Sequence, residues 1–382
     1  MKILLVKLSS LGDVVHTLPV VQDIHAALPD AQIDWVIEKS FAPLLAPLLA
    51  PGAGLSRVVG CELRRWRKAP LAAWLRGPWR DFKAELQGVA YDAVIDLQGL
   101  TKSALVARLA RLAPGGKRFA LANQTEGSSY EAPTRWVADV AIRIEPHVHA
   151  VQRGRELAAA ALGYSVDSAA VYGLNTPSAE ADRAQAAPET IAVWTPPGVA
   201  LAHGTSRADK RWPLEHWIEL GLRLNAAGFE VLLPHGSVDE YSTSHLIARA
   251  LNALESAPPG ARVLPVLALD ALTRQLAGCA GVIGVDSGVS HIAVALGLPH
   301  VQIYNFDTAW RTGPADSPPG DAPHLAPGFA QAGHARQISL VAHPFADVDA
   351  VWQAWLTCGA AAVAPAAAQP PVFARSDAAP TA

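Results

Sequence analysis

Three short peptides carry the residue types that chemistry on a charged, hydroxyl-rich substrate requires. The first, Lys7-Leu8-Ser9-Ser10-Leu11-Gly12-Asp13, leaves a strand read at residues 2–7 (KILLVK). Ser9, Ser10 and Gly12 make a small, flexible loop that a substrate can approach closely, and Asp13 stands where the next helix starts. Position alone leaves two readings of Asp13: a helix N-cap worth about 1 kcal/mol, or a general base at a cleft. The second peptide runs from His203 to Pro213 (HGTSRADKRWP) and crowds hydroxyls, a glycine and three cations into one loop. A bound diphosphate needs that set: small groups for close approach, donors for its oxygens and fixed positive charge. GxxxxGK[ST] is absent, so this is no Walker A loop, and the plainer alternative is a solvated charged loop. The third, Val285-Asp286-Ser287-Gly288-Val289-Ser290-His291, joins a strand to a helix through a tight turn. Free amides and the helix dipole at such a terminus attract phosphate oxygens. Simple capping by Ser287, with His291 in the core, is the competing reading.

Such peptides need elements that hold them, and the chain supplies these in a regular order. Short β-branched runs alternate with longer amphipathic stretches, the pattern of parallel βαβ units and an α/β fold. After the first strand, a helix is expected from Asp13 to about Ala27, kinked at Pro19, where an interior proline costs roughly 3 kcal/mol. Strands follow at 32–37 (QIDWVI) and 92–96 (DAVID), the latter leading into a helix from about Lys102. The second half restarts with extended residues 191–194 and 199–203, then a helix whose first residue is Pro213 and which ends at Gly228. A strand at 229–234, helices at 239–253 and 270–277, and a strand at 281–285 (GVIGV) come next. A helix at 289–296, closed by Gly297 and Pro299, leads to a last strand at 300–304. All three peptides thus fall on strand-to-helix junctions, and open parallel sheets bind ligands outside the carboxyl ends of their strands.

At 382 residues the chain is long enough for two domains. With 51% hydrophobic and 17% charged residues it can fill two cores, which excludes a disordered or fibrous protein. A net charge of −3 lacks the global basicity of a nucleic-acid binder, so no nucleic-acid partner is expected. Cys61, Cys279 and Cys358 show no CxxC spacing and read as buried thiols of a reducing compartment, not as zinc ligands. The first apolar run is interrupted by Lys7 without a cleavage site, so it reads as a strand and not a signal peptide. No stretch of roughly 18 apolar residues is free of charges and breakers, which leaves only peripheral membrane contact. The expected division is an N-terminal domain at 1–178, a C-terminal domain at 179–345, and a helix at 346–358 packing back on the N-terminal domain. Residues 176–189 are the expected linker, and the Ala/Pro-rich stretch at 359–382 an expected disordered tail. A dinucleotide enzyme would show GxGxxG after its first strand; the loop here reads SSLGD, which favours a sugar-nucleotide transferase.

KLSSLGDVVHTLP at the start, DLQGLTKSAL at 96–105, KRWPLEHW at 210–217 and VDSGVSH at 285–291 together resemble the lipopolysaccharide heptosyltransferases. The resemblance runs in order from Met1 to about residue 357, and the first loop is closer to the type I branch of that family than to type II. It implies a glycosyltransferase-B fold, two Rossmann-like domains facing a central cleft, with acceptor on the N-terminal domain and donor on the C-terminal one. It also implies inverting transfer of L-glycero-D-manno-heptose from ADP-heptose to the Kdo sugar of Kdo-lipid A. Asp13 matches the family's catalytic base. Thr205, Ser206 and Lys210 match its phosphate-binding positions, and Asp286, Ser287, Gly288 and His291 its donor motif. Glu240 matches a carboxylate that binds the ribose, though a solvated helical glutamate is the plain alternative. Ser9, Ser10, Gly12, His16 and Gln98 fall on the acceptor side. No DxD-type pair stands in a metal-binding turn, so neither a metal nor another cofactor is expected.

Kdo-lipid A is strongly anionic and membrane-bound, and the acceptor half carries a basic cluster. Arg64, Arg65, Arg67 and Lys68 surround Trp66, and Trp74, Arg76, Trp79 and Arg80 follow. Cations with interfacial tryptophans suit a cytoplasmic protein resting on the inner face of the inner membrane, each cation adding about 1 kcal/mol; a solvated helix face is the alternative. Some positions depart from the family. Thr205-Ser206 replaces a common Thr-Thr, Tyr304-Asn305-Phe306-Asp307-Thr308 replaces YGPTD, and the loop at 123–133 is unlike the usual acceptor-side pattern, so the last two receive no role. The remaining readings are a heptosyltransferase with another acceptor, an epimerase of the same architecture, and an inactive ADP-binding module. The basic segment speaks against the epimerase, and the intact Asp13 loop against the inactive module.

Overall fold

Strands buried on both faces must be covered by helices on both sides, and the chain alternates the two throughout. The computed structural model describes residues 1–68, 77–174, 197–253, 260–314 and 337–358. The extended run read at 191–194, the linker, the tail, Trp74 and Arg76 lie outside them. The first half contains β1 (Lys2–Val6), α1 (Leu11–Val15), α2 (Leu18–Ala27), β2 (Gln32–Glu38), β3 (Leu55–Cys61), α3 (Leu63–Lys68) and α4 (Pro78–Gln87). It continues with β4 (Ala90–Asp96), α5 (Thr101–Leu109), β5 (Arg111–Leu121), α6 (Pro133–Val137), β6 (Val140–Ile142) and α7 (Ala150–Leu162). The second half contains β7 (Gly198–Ala202), α8 (Leu214–Ala226), β8 (Glu230–Leu233), α9 (Val238–Asn252), β9 (Ala261–Val263) and α10 (Leu269–Ala277). It closes with β10 (Gly281–Val285), α11 (Gly288–Ala295), β11 (His300–Tyr304), α12 (Ala309–Thr312), β12 (Gln337–Val341) and α13 (Val348–Thr357).

Each half builds one six-stranded sheet, ordered β3-β2-β1-β4-β5-β6 and β9-β8-β7-β10-β11-β12. All the pairings are parallel. Both sheets therefore have the Rossmann order, which reverses once, between β1 and β4 and again between β7 and β10. Val6 lies beside Asp96, and Ala202 beside Gly284, so the loops leaving these strands emerge in pairs at the two switch points.

The expected kinked helix over 13–27 is instead two helices, α1 and α2, with Thr17 between them and Pro19 in the first turn of α2. There the missing N–H is one that no helix satisfies internally, so the proline starts a helix and kinks nothing. Pro213, by contrast, precedes its helix: its ψ of 143° is extended and Leu214 is the first helical residue. The helix expected to pack on the N-terminal half covers the second sheet instead. Val348, Val351, Ala354 and Trp355 join the apolar cluster of Trp217, Phe229 and Val301, and the Trp355 ring meets Phe229 edge-on at 6.0 Å.

The halves also pack on each other, one buried cluster including Val14, Val15 and Leu18 from the first and Leu272, Ile292 and Ala293 from the second. Two glycines set the approach of α1 to α11. A Cβ on Gly12 would lie 2.6 Å from His291 Cδ2, and one on Gly288 would lie 2.6 Å from Leu11 Cδ2. Cys61, Cys279 and Cys358 are free, buried thiols.

Candidate active site

The loop after β1 carries Asp13, and its helical context decides how that residue is used. Ser10, not Asp13, is the N-cap of α1. Asp13 is the third helical residue and reaches back, its Oδ2 accepting from the Ser10 N–H and the Ser10 hydroxyl, both at 3.0 Å. Half of a capping box is thereby formed, and the carboxylate is fixed in direction while 39% of its side chain remains exposed. Its Oδ1 lies 3.4 Å from the ammonium of Lys7, which is buried and donates to Leu97 O at 3.1 Å. Burial opposes the Asp13 charge, but the Lys7 ammonium, the Ser10 amide and the Arg153 guanidinium outweigh it and hold the carboxyl at about 2.

The neighbouring switch-point loop fixes this one. Gln98 Oε1 accepts from the amides of Leu8 and Ser9 at 2.7 and 3.2 Å, while its Nε2 donates to Ser9 O. Gln98 thus spends its amide on holding the Ser9-Ser10 loop, and Lys102 Nζ donates to Ser9 Oγ at 2.8 Å. Asp96 organises the turn behind them, accepting from the amides of Gln98 and Gly99 and from the Ser103 hydroxyl. Its burial pushes the carboxyl up to about 6, against those three hydrogen bonds.

Across the cleft, Asp286 accepts from Lys210 Nζ, and its Oδ1 lies 3.3 Å from His291 Nε2. Burial opposes the Asp286 charge, and His291 and Lys210 more than offset it, so the carboxyl lies well below the usual range. Asn305 donates to the carbonyls of Asp209 and Arg211 at 3.0 and 3.1 Å, pinning the turn that carries Lys210. Thr205 Oγ1 donates to Asp286 O at 3.4 Å. Ser287 caps α11 by accepting from Ser290 N, so the cap read in the sequence exists and Gly288 opens the helix. His16 lies against His291, with ring centroids 4.3 Å apart. Burial, with the neighbouring His291 and His149, keeps His16 neutral at physiological pH.

These groups share one cavity of about 230 Å³, lined by Lys7, Ser10, Gly12, Asp13, His16 and Gln98 from the first domain and Lys210, Asp286 and His291 from the second. A second cavity of about 450 Å³ holds Gly204, Thr205, Ser206 and Glu240. Glu240 accepts from Gly236 N at 2.7 Å, and its carboxyl carbon lies 2.5 Å from where a Cβ on Gly204 would stand, so a larger residue there would displace the Glu240 carboxylate.

Among the described side chains of the basic segment, none lines the main cavity. Arg64, Arg65, Arg67 and Lys68 lie along α3, where Arg65 and Lys68 are exposed, and Arg65 pairs with Glu62 at 3.3 Å. Trp66 is a correction: it is 8% exposed and packs edge-on against Trp79 and beside Phe82. Trp66 is therefore core, because the inward side of a helix this short takes the one aromatic among its cations. Four further residues escaped sequence reading: Lys7, Asp96, Arg153 and Arg311. Lys7 had a signal, a lysine ending an apolar strand. Arg153 and Arg311, which line the main cavity from α7 and α12, sit in stretches whose patterns are ordinary.

Two facing Rossmann-type sheets, with a fixed carboxylate at one switch point and a basic, hydroxyl-bearing loop around Lys210 at the other, define a glycosyltransferase of the B fold. The heptosyltransferase profile of glycosyltransferase family 9 matches residues 79–318. Lipopolysaccharide heptosyltransferase 1 of Escherichia coli K12 is 36% identical over 312 residues, covering 80% of this chain and 88% of that one. Its namesake from Pseudomonas aeruginosa PAO1 is 37% identical over 320 residues, covering 82% and 81%. The solved E. coli heptosyltransferase WaaC with ADP superposes with a TM-score of 0.73 at 31% identity, covering 94% of this chain and all of that one. E. coli heptosyltransferase II, at 22% identity and a TM-score of 0.62, shares the fold. The chain belongs to glycosyltransferase family 9, the heptosyltransferases.

Proposed function

We propose that this enzyme moves L-glycero-D-manno-heptose from ADP-heptose to the Kdo of Kdo-lipid A, with inversion, in lipopolysaccharide core assembly. The observation that carries the reading is the single cavity that joins Asp13 to the Lys210–Asp286 group. An inverting transfer needs one carboxylate to take the acceptor hydroxyl's proton while that oxygen attacks C1 and the C1–diphosphate bond breaks. Carbon C1 gains oxocarbenium character in the transition state, as in other glycosyl transfers. Asp13 is held ionised and aimed, and a positioned base supplies roughly 10²–10⁴-fold.

The departing ADP takes up negative charge beside Lys210, the Thr205 and Ser206 hydroxyls and the amides opening α11 at Ser287 and Gly288. Asp286 and His291 hold Lys210 and the helix start in place. Glu240 is suited to the ribose hydroxyls. Beside it an open groove offers a purine the apolar faces of Val238, Tyr241 and Val266. Ser9, Ser10, Gly12, His16 and Gln98 shape the acceptor side. A fixed cation and helix amides meet the leaving charge, so the reading requires no metal. Among the described residues no group of three or more His, Cys, Asp or Glu side chains is placed to hold one.

The test is ADP release from ADP-heptose with and without Kdo-lipid A, in EDTA, for wild type and Asp13→Asn. Acceptor-dependent release in EDTA that falls by about 10²-fold or more in the variant supports substrate pair, base and metal independence together. Release untouched by the substitution would return Asp13 to a capping role. Rates restored only by added magnesium would defeat the metal-free reading.

On this reading, a lipid-linked acceptor would hold the enzyme at the cytoplasmic face of the inner membrane. No described helix is long and apolar enough to span a bilayer. Exposed Trp136 on α6 and Leu105 on the adjoining α5, near exposed Arg108 and Arg135, offer the interfacial contacts that Trp66 does not. Co-sedimentation with anionic vesicles, lost in Trp136→Ser with Leu105→Ser, tests that surface; binding unchanged by both substitutions would discard it.

A further inference from the structure

Two guanidinium groups face the main cavity from opposite domains. Arg153, on α7, donates to Thr125 Oγ1 at 3.0 Å; Arg311, on α12, donates across the cleft to Gly127 O at 2.6 Å. Among the described residues neither is ion-paired to a carboxylate. Arg311 Nε is buried without a hydrogen-bond partner. The chain makes room for this guanidinium: a Cβ on Gly127 would lie 2.7 Å from Arg311 Nε, and the φ of +64° there suits glycine alone.

The neighbours of Arg311 cross the cleft as well. Trp310 stacks on His147 with centroids 3.8 Å apart and an interplanar angle of 18°. His149 Nε2 lies 2.9 Å from Gly313 O. The segment 310–313 of the donor domain is thus laid over the acceptor domain beside the cavity. Its closure brings a guanidinium toward another guanidinium. Burial lowers the Arg153 pKa, and the Arg311 charge pushes the same way, with Asp13 acting against both. The cavity lining carries four cations, Lys7, Arg153, Lys210 and Arg311, against the carboxylates of Asp13 and Asp286. Lys7 and Lys210 face those carboxylates directly, at Asp13 and Asp286. The two arginines are the surplus.

We infer that Arg153 and Arg311 form an oxyanion subsite split between the domains, which takes the acceptor sugar's carboxylate and so couples acceptor binding to closure of the cleft. The inference rests on the Kdo-lipid A reading above. A carboxylate matches the planar donor fork of arginine. Arg153 lies close enough to Asp13 for the two charges to act on each other, and both line the one cavity, which favours the sugar's own carboxylate over a phosphate further along the lipid. An anion between the arginines converts their repulsion into two attractions, one from each domain. Donor alone leaves that repulsion in place, which discourages closure on ADP-heptose with only water as acceptor.

The test compares wild type, Arg311→Lys and Arg311→Met in acceptor-dependent ADP release, with melting temperature in saturating ADP as the control for folding. The expected result for Arg311→Met is an acceptor KM raised at least about tenfold, with ADP affinity within about twofold of wild type. Arg311→Lys should fall between. The second arm uses Kdo-lipid A whose Kdo carboxyl is converted to the primary amide. Wild type should lose as much on this acceptor as Arg311→Met loses on the native one, and the variant should lose little more. A third arm uses dephosphorylated acceptor, on which Arg311→Met should keep its full penalty; a vanished penalty would assign the subsite to phosphate and overturn the carboxylate. An unchanged acceptor KM in Arg311→Met overturns the subsite while leaving the proposed reaction standing. A wild type that releases no ADP with Kdo-lipid A takes down that reaction and the subsite together.

Discussion

At the scale of single residues, the site separates two buried or part-buried aspartates by what surrounds them. Asp13 is beside one ammonium and one guanidinium and stays ionised; Asp96 is fully buried among neutral donors, and that burial outweighs both their hydrogen bonds and the Lys7 charge, pushing it toward protonation. Lys7 is the nearest source of the first effect, so Lys7→Met should raise the Asp13 pKa. We expect the acidic limb of the kcat/KM profile to move up by about one pH unit or more; a limb that does not move would remove Lys7 from this role. The stability sign for Asp13 follows from a depressed carboxyl: its contribution is present above the unfolded pKa and lost as pH falls toward about 2. For Asp96 the sign reverses. Its carboxyl titrates at about 6 in the folded chain and near the ordinary 3.9 in the unfolded one, so the unfolded state releases its proton first and stability declines as pH rises between those values. Asp96→Asn keeps an oxygen for the Gln98 and Gly99 amides without the charge. Its stability relative to wild type should therefore climb by about 2 kcal/mol from pH 4 to pH 6 and level off above. Denaturant midpoints across that range measure it, and a flat difference would mean that Asp96 is not the titrating group.

At the scale of elements, the contact of α1 with α11 has no spare room, and a single methyl group tests it. Gly12 is helical, so Gly12→Ala should favour α1 by up to about 1 kcal/mol. The new Cβ would meet His291 at 2.6 Å unless the domains move apart. The expected variant melts no lower than wild type and binds ADP normally, yet its kcat falls by about tenfold or more, because a small misplacement of reacting groups is costly. A variant with normal kcat would show that this contact is not part of the working state. The same elements show what the sequence could reveal. Residues on strand-to-helix junctions were legible because their cue is local: an apolar run, a small-residue loop, then a helix start. Asp13, Lys210 and Asp286 all carry it. Arg153 does not, since it sits in an ordinary amphipathic helix and reaches the cavity only through the packing of α7. Arg311 depends in the same way on α12 meeting a loop far away in the chain. Trp66 misled because four basic neighbours make a six-residue helix look exposed, whereas the helix needed one inward aromatic. Pro19 misled for a related reason: a pattern of apolar spacing spans two helices as smoothly as one.

At the scale of the whole molecule, the sign of the charge on the surface and the sign of the charge in the cleft differ. The chain carries a net −3, while the main cavity is lined by four cations and two carboxylates. A negatively charged protein repels an anionic lipid at long range and attracts it at local basic patches and in the cleft, where low-dielectric walls focus the field. Salt acts on these two contributions unequally. Mobile ions screen charges over about 8 Å at physiological ionic strength, and they reach solvent-facing groups far better than pairs such as Lys210–Asp286 inside the site. The acceptor's approach to a positive cleft is therefore the salt-sensitive step, and the chemistry around Asp13 is not. We expect acceptor kcat/KM to fall several-fold as ionic strength rises from about 0.05 to about 0.3 M, while kcat at saturating acceptor changes little. Arg311→Met, with one surplus cation removed, should show a shallower decline. The measurement is a set of acceptor titrations at fixed, saturating ADP-heptose in sodium chloride. Loss appearing in kcat instead would mean that salt reaches the buried pairs, and with that the division between an attracting cleft and a screened catalytic centre would fail.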